Sequence, residues 1–432
     1  MRLDFAFGKT GLTLEFPPGF EYLTLEARSA TPLNDAPGAL RQALNEPIGC
    51  PSLLELGRGA TSAAISVCDI TRPAPNRLTL PPLLDQLASL GLSIKDTRIL
   101  IATGLHRPAT KDEIVEILGS DIASKYPVFN HDARNLAEHR FLGTTSTGTP
   151  VYIDERFVSA DLRISLGFIE PHLMLGFSGG RKLVAPGLAA QETIKVLHSP
   201  KFMRDSLAIE GSIEQNPLHR ELLEISRMAG HQFILDVALA SGVEGGARRI
   251  AGVFAGDPVA AHRKGVEFVS TTLLDRIDGP VDAVVTSAAG YPLDLTFYQA
   301  IKGITAAQHI LKPGGRILMV AECREGAGAA EFAEMLESFQ SYDAFLDALR
   351  EREVVVDQWQ LEKLAIVGSR HEILFYVPGL PSKYWKHFGT RMFSSPQAAV
   401  GGLMAGLPGN ARVALIPEGP YVLARVLEAQ TA

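Results

Sequence analysis

The chain has 432 residues, 46% of them hydrophobic and 21% charged, with a formal net charge of -7. That is ordinary globular material, enough for a large core and longer than one domain usually runs. The acidic balance excludes a nucleic-acid binder and no run of about 18 apolar residues is present to span a membrane; the N-terminal MRLDFAFGKT lacks a signal-peptide pattern and Cys50, Cys68 and Cys323 form no CxxC pair, so a reducing cytoplasm is expected.

In chain order, AAISVCDI (63–70) reads as a buried strand, because it is short, apolar and followed by the turn residues TRPAPN. PPLLDQLASLG (81–91) reads as a helix ended by glycine. TRILIATG (97–104) is a second strand, after which Thr110 and Glu113 form a capping-box pattern that opens a helix. LRISLGF (162–168) is a strand, QETIKVLH (191–198) a helix and HQFILDVALA (231–240) a strand. A second set follows: strand 281–290, helix 298–311, strand 314–322, helical stretches AEFAEMLESF and SYDAFLDALRER, and a last strand in ARVALIPEGP (411–420). Alternating strands and helices imply an α/β fold of two domains, each a mostly parallel sheet flanked by helices, with the active site in the cleft between them. RIDGP (276–280) marks the boundary. The expected division is 1–275, completed by about 390–432, and 276–389.

Polar side chains gather after the strands. Asp69, Thr71 and Arg72 follow one; Thr103, Gly104, His106 and Arg107 another; Glu170, Pro171 and His172 a third; Tyr291, Pro292 and Asp294 a fourth. Ligands of open α/β sheets bind beyond the carboxyl ends of the strands, so the four turns point to one shared site.

Each residue has a chemical and a plain reading. In SGGRK (178–182), glycines let backbone amides approach an anion, with Arg181 and Lys182 adding charge; the plain reading is a solvated turn. His106 and His172 are acid/base candidates or loop histidines bonded to backbone. Two such groups flanking a substrate suit a racemase. His198, ending a helix, is a metal ligand or a charge favoured by the helix dipole. Arg72 is a carboxylate clamp or half of a loop ion pair with Asp69. Gln299 and Lys302, three apart, share a helix face. Trp359 walls a pocket or packs in the core. His131 and His139 read as surface residues. HExxH, GxSxG and GxGxxG are absent, which removes the zinc-protease, hydrolase-elbow and dinucleotide fingerprints.

Taken together, DITRP (69–73), TGLHRP (103–108), EPHLMLGFSGGRKLVAPG (170–187), the HSP histidine (198–200) and YPLDLTFYQAIKG (291–303) resemble the nickel-dependent lactate racemase family. The motifs run over nearly the whole chain in the family's order. The resemblance implies a nickel pincer cofactor, a pyridinium mononucleotide carrying a thioamide and a thiocarboxylate, covalently attached to Lys182. It implies His198 as the protein's nickel ligand and His106 and His172 as the acid/base pair. Asp69, Ser178, Gly179 and Gly180 fall near the cofactor, and Arg72, Tyr298, Gln299, Lys302 and Trp359 match substrate-binding positions. It also implies hydride transfer to and from the cofactor: one histidine takes the hydroxyl proton as hydride leaves, and the second serves the mirror direction. Cofactor-building enzymes are expected as loading partners, with no nucleic acid or membrane, and the protein as a monomer or loose dimer.

The expected substrate is a short 2-hydroxy acid, lactate being the family's type. Leu295, Thr296 and Phe297, beside Tyr298, lean toward a small apolar substituent. The rivals are a racemase or epimerase of a larger or doubly charged 2-hydroxy acid such as malate or a sugar acid, a non-catalytic anion- or nucleotide-binding protein, and a zinc hydrolase built on the three histidines.

Overall fold

In the computed structural model, all residues are described except 27, 29, 241–247, 351–352, 389–390 and 428–432. The chain forms two compact units. One comprises Ser29–Leu197 and Ser206–Thr272; the other comprises Met1–Arg28, His198–Asp205 and Leu273–Ala432.

The first unit is built on a six-stranded sheet in the order Ile250–Gly256, Phe233–Leu239, Leu162–Phe168, Ala63–Cys68, Thr97–Ala102, Val128–Asn130. Every neighbouring pair is parallel except the outermost, where Ile250–Gly256 runs antiparallel to Phe233–Leu239. All six residues of Ala63–Cys68 are buried, as a continuous apolar strand covered on both faces requires. Leu80, Leu83, Leu84 and Leu87 of the helix Asn76–Ser89 pack over Ile99, Ile101, Leu162 and Ile164. From Ala63–Cys68 the chain winds outward to Val128–Asn130, then returns to the other side for Leu162–Phe168 and Phe233–Leu239. The reversal places a switch point at the carboxyl ends of Ala63–Cys68 and Leu162–Phe168, the favoured ligand position in such sheets.

The second unit has five parallel strands in the order Glu372–Tyr376, Leu311–Val320, Val281–Ser287, Arg412–Ile416, Glu21–Thr24. Helix Phe297–Ala307 covers one face, with Phe297, Ile301 and Ile304 in the same core as Val284, Ile317, Met319 and Phe375.

The sheet pairings revise the expected division. Arg412–Ile416 joins Val281–Ser287, and Glu21–Thr24 extends that sheet. Both chain ends therefore build the second unit, so 390–432 does not complete the first and 1–28 does not belong to it. An apolar strand such as ARVALI suits either sheet, and four residues of EYLT carry too little periodicity to place. Most predicted elements match to within a few residues. The helix predicted from Pro81 begins at Asn76, with Pro81 and Pro82 inside it. SYDAFLDALRER forms Tyr342–Ala348, and its last two residues, 351–352, lie outside the described residues. Helices Pro217–Met228 and Gln358–Gly368 were not foreseen. The second buries nine of its eleven residues, Gln, Glu and Lys among them, so it shows no polar stripe to read. Among the described residues no helix is long and apolar enough to cross a membrane.

Helix Phe297–Ala307 approaches its sheet closely at Gly303, where an added Cβ would sit 2.2 Å from the Ser287 carbonyl oxygen. Gly303→Ala should lower stability by ~1–3 kcal/mol. A denaturant midpoint unchanged by the substitution would show that helix and strand are not in this contact.

Candidate active site

Asp69 is the first residue beyond Ala63–Cys68, and the strand that follows, Thr97–Ala102, delivers His106. His106 Nδ1 lies 2.6 Å from Asp69 Oδ2. The Thr71 hydroxyl donates to Asp69 Oδ1 at 2.6 Å. Burial alone would raise the Asp69 carboxyl. The hydrogen bond and charge of His106, the charge of Arg72 and the Thr71 hydroxyl outweigh it and hold the carboxyl below its usual range. Asp69 is thus a carboxylate that accepts from the imidazole Nδ1–H, which leaves Nε2 of the half-exposed His106 as the atom with a lone pair.

His172 is bonded in the opposite sense. It sits in the two-residue strand Pro171–His172, paired antiparallel with Gly176–Phe177 after Leu162–Phe168. The amides of Met174 and Leu175 both donate to its Nδ1 at 3.4 Å. A ring that accepts at Nδ1 carries its proton on Nε2. The two histidines therefore present a base and a hydrogen-bond donor from strands that flank Ala63–Cys68.

Part of the SGGRK turn is engaged within the fold. The Gly180 amide donates to Asp236 Oδ2 at 2.8 Å, and a Cβ on Gly179 would meet that oxygen at 2.5 Å. The glycines make room for a buried carboxylate in mid-strand. Ser178 is also engaged within the fold: its hydroxyl donates to the Phe168 carbonyl at 2.9 Å and accepts from the Glu170 amide at 3.0 Å. Arg181 is wholly buried and donates to the carbonyls of Leu175 and Phe177 at 3.1 and 3.0 Å, with His262 Nε2 2.8 Å from its Nη1. Lys182 alone of the three polar side chains in this turn keeps partial exposure, on the short helical turn Gly180–Leu183. The signal for Asp236 was available as the lone acid in the apolar strand FILDVAL. His262 and the ring stacked on it, His219, carried none.

The second unit groups the other candidates. Thr296 caps helix Phe297–Ala307, accepting from the Gln299 amide at 3.4 Å. Tyr298 and Lys302, four apart, share a face. Trp359 Nε1 donates to the Tyr298 hydroxyl at 3.2 Å, and the Gln360 side chain donates to the Tyr298 carbonyl at 2.9 Å. The His198 ring lies 4.3 Å from that of Trp359. Trp359 is buried, as its plain reading of core packing has it. Gln299 Oε1 is buried without a hydrogen-bond partner. Two of the three residues expected to size the pocket have other duties: Phe297 packs against Phe375 and Phe388, and Thr296 is the cap. They give no support to a small apolar pocket. His131 is not a surface residue either; it is buried between Asp154, 3.2 Å from Nδ1, and the Ala189 carbonyl, 3.0 Å from Nε2. His139 lies edge-on to it and is partly buried.

Among the described residues no group of three or more His, Cys, Asp or Glu side chains is placed to hold a metal. The three protein ligands that a zinc hydrolase takes are not gathered among the described residues. Taken each by itself, the His198 imidazole is a donor that suits a metal, and the Lys182 amine in the other unit is a group to which an organic molecule can be bonded.

Comparison with known proteins now bears on the whole chain. The family model for the lactate racemase N-terminal domain matches residues 7–210, and that for the lactate racemase C-terminal domain matches 277–424. The chain belongs to the lactate racemase family. It is 34% identical to the lactate racemase of Thermoanaerobacterium thermosaccharolyticum over 393 residues, covering 89% of this chain and 90% of that one. It is 36% identical to the lactate racemase of Lactiplantibacillus plantarum over 340 residues, 78% of each chain. The solved apoprotein of the Thermoanaerobacterium lactate racemase superposes with a TM-score of 0.90 at 32% identity, over 98% of this chain and all of that one (100%). A Thermotoga maritima protein of 18% identity shares the fold alone, with a TM-score of 0.67 over 92% of this chain and 100% of that one. Within the lactate racemase family this chain is an isomerase of the racemase class.

Burial pushes the Asp236 carboxyl up to about 7, against the bonds from Gly180 and the charge of Arg181. Its unfolded value is about 3.9. Between those values the folded state holds a proton that the unfolded chain does not, so stability falls as pH rises through that window. Asp236→Asn should remove this slope. Urea unfolding of both proteins at several pH values across the window checks it, and a slope that persists in the variant assigns it elsewhere.

Proposed function

We propose that this racemase interconverts the enantiomers of a short 2-hydroxy acid, lactate first among them, with a nickel pincer mononucleotide attached to Lys182 and with His198 as the protein's nickel ligand. The observation that carries the reading is the Asp69–His106 bond and the opposed bonding of His172, found where the family's motifs fall. The two relatives that bear the name lactate racemase support the substrate.

When bound, the cofactor supplies a hydride acceptor and donor. The protein's part is proton handling and positioning. His106 Nε2 takes the hydroxyl proton, and the Asp69 carboxylate stabilises the imidazolium that results. His172 presents Nε2–H to the substrate oxygen; when protonated at Nδ1 as well, it returns a proton to that oxygen as the other enantiomer forms, the reverse of its role as base. To act as the base for the mirror enantiomer it gives up two amide contacts, which at 3.4 Å are long and weak. Arg72 and Lys302 hold the substrate carboxylate, a positioning role for cations that planar guanidinium and mobile ammonium both fill. Tyr298, Gln299 and Trp359 complete the substrate's surroundings. A cytoplasmic protein loaded by cofactor-building enzymes is consistent with this chemistry.

Lys182→Ala should abolish the covalent adduct in intact-protein mass spectrometry while the fold stays intact; an unchanged adduct overturns the tether. His106→Ala should keep the adduct and lower kcat by ~10²–10⁴-fold, and near-wild-type turnover would exclude it as the base. Chiral chromatography of loaded protein with lactate, 2-hydroxybutyrate, malate, 2-hydroxyglutarate, phenyllactate and gluconate tests the substrate. Racemisation of malate or gluconate in preference to lactate replaces the short-chain reading with the larger-substrate one.

A further inference from the structure

The segment His198–Asp205 belongs by its contacts to the second unit, although Ser29–Leu197 and Ser206–Thr272 on either side of it belong to the first. It is eight residues long by this numbering and contains His198 and the single helical turn Pro200–Met203. So short an excursion has no core of its own. What fixes it is one face of helix Gln358–Gly368. Trp359, Glu362 and Lys363 stand at i, i+3 and i+4 on that helix, the spacing that aligns side chains along one side. Trp359 meets the His198 ring at 4.3 Å. Glu362 Oε1 accepts from Arg204 Nε at 2.9 Å, and Arg204 Nη2 continues to the Leu346 carbonyl. Lys363 Nζ donates to the Met203 carbonyl at 3.0 Å. The segment is thus held at its beginning, by His198, and near its end, by Met203 and Arg204.

The chemistry of these ties is unusual for a mere staple. The Glu362 side chain is 0% exposed, and its second oxygen, Oε2, has no hydrogen-bond partner. Lys363 is 6% exposed. Burying ionised groups carries a large desolvation penalty, and well-packed apolar residues hold helices together as well or better. What apolar contacts lack is direction. An Arg–carboxylate bond and an ammonium–carbonyl bond fix distance and angle together.

We propose that Glu362, Arg204 and Lys363 are positioning residues that set the place and ring orientation of His198 against Trp359, and thereby its bond to the nickel. The inference rests on the assignment of His198 as nickel ligand. Residues that orient a metal-binding imidazole act without touching the metal, and their loss typically weakens metal binding by roughly 10–100-fold.

The test uses the loaded protein and three variants: Glu362→Gln, which keeps shape and removes the charge, Lys363→Met, which removes one bond only, and His198→Ala as reference. Intact mass reports the organic adduct, metal analysis during a chelator challenge reports nickel loss, and the visible absorption of the nickel chromophore reports its coordination. Calorimetry reports the fold. The expected result is a wild-type adduct mass in all variants, with nickel released roughly 10–100-fold faster and a shifted absorption band in both clamp variants. A structural staple alone would lower the melting temperature and leave the absorption band of the folded protein in place. If His198→Ala accelerates nickel loss and both clamp variants match wild type, the clamp is overturned and the ligand assignment stands. If His198→Ala itself matches wild type, the ligand assignment falls and the clamp with it. Should Glu362→Gln fail to fold, the milder Lys363→Met still decides.

Discussion

A carboxylate buried in the middle of a strand organises the first unit's site. Asp236 binds the Gly180 amide and fills the space that Gly179 leaves for want of a side chain. Arg181, next in the chain, is drawn wholly inside and grips the carbonyls of Leu175 and Phe177. Those carbonyls lie in the hairpin whose amides bond His172 Nδ1. The bonding of His172 and the placement of Lys182 therefore hang on the same two buried side chains, Asp236 and Arg181. The price is a carboxyl that sits uneasily in apolar surroundings, which is why its affinity for a proton is so far raised.

The second unit solves a different problem, that of presenting aromatic and polar groups from two helices at fixed mutual distance. The bond from Trp359 to the Tyr298 hydroxyl and that from Gln360 to the Tyr298 carbonyl join helix Gln358–Gly368 to helix Phe297–Ala307. Gly303 lets the latter helix settle against Val281–Ser287. That close approach and the packing of Phe297, Ile301 and Ile304 together set the depth at which Tyr298 and Lys302 stand.

Much of this was legible in the residues. The buried strands of the first unit read well because apolar runs of six or seven residues between turn signals have few other interpretations. The Thr110–Glu113 capping box predicted a helix that forms with both reciprocal bonds. A loop ion pair of Asp69 with Arg72 was one of two readings of DITRP; the structure bonds Asp69 to His106, because sequence proximity says nothing of which strand end lies alongside. SGGRK was ambiguous for a related reason. Glycine before a basic pair looks the same whether the turn faces a ligand or wraps an interior carboxylate, and Asp236 is 56 residues away from Gly180. Helix Gln358–Gly368 escaped because burial on all sides erases the amphipathic pattern by which helices are recognised. The allocation of both chain ends to one sheet is a matter of long-range pairing, to which short strands give no local clue.

In the proposed reaction a mirror-image pair of substrates meets two histidines that are not mirror images in their bonding. His106 Nδ1 is bonded to a carboxylate; His172 Nδ1 accepts from two amides. Enantiomers have equal free energies, so in the proposed reaction the ratio kcat/KM must be the same for both. Nothing holds kcat and KM themselves equal. A protein bonded in this way divides that common ratio unequally, so that one enantiomer is turned over faster and held more loosely than its reflection.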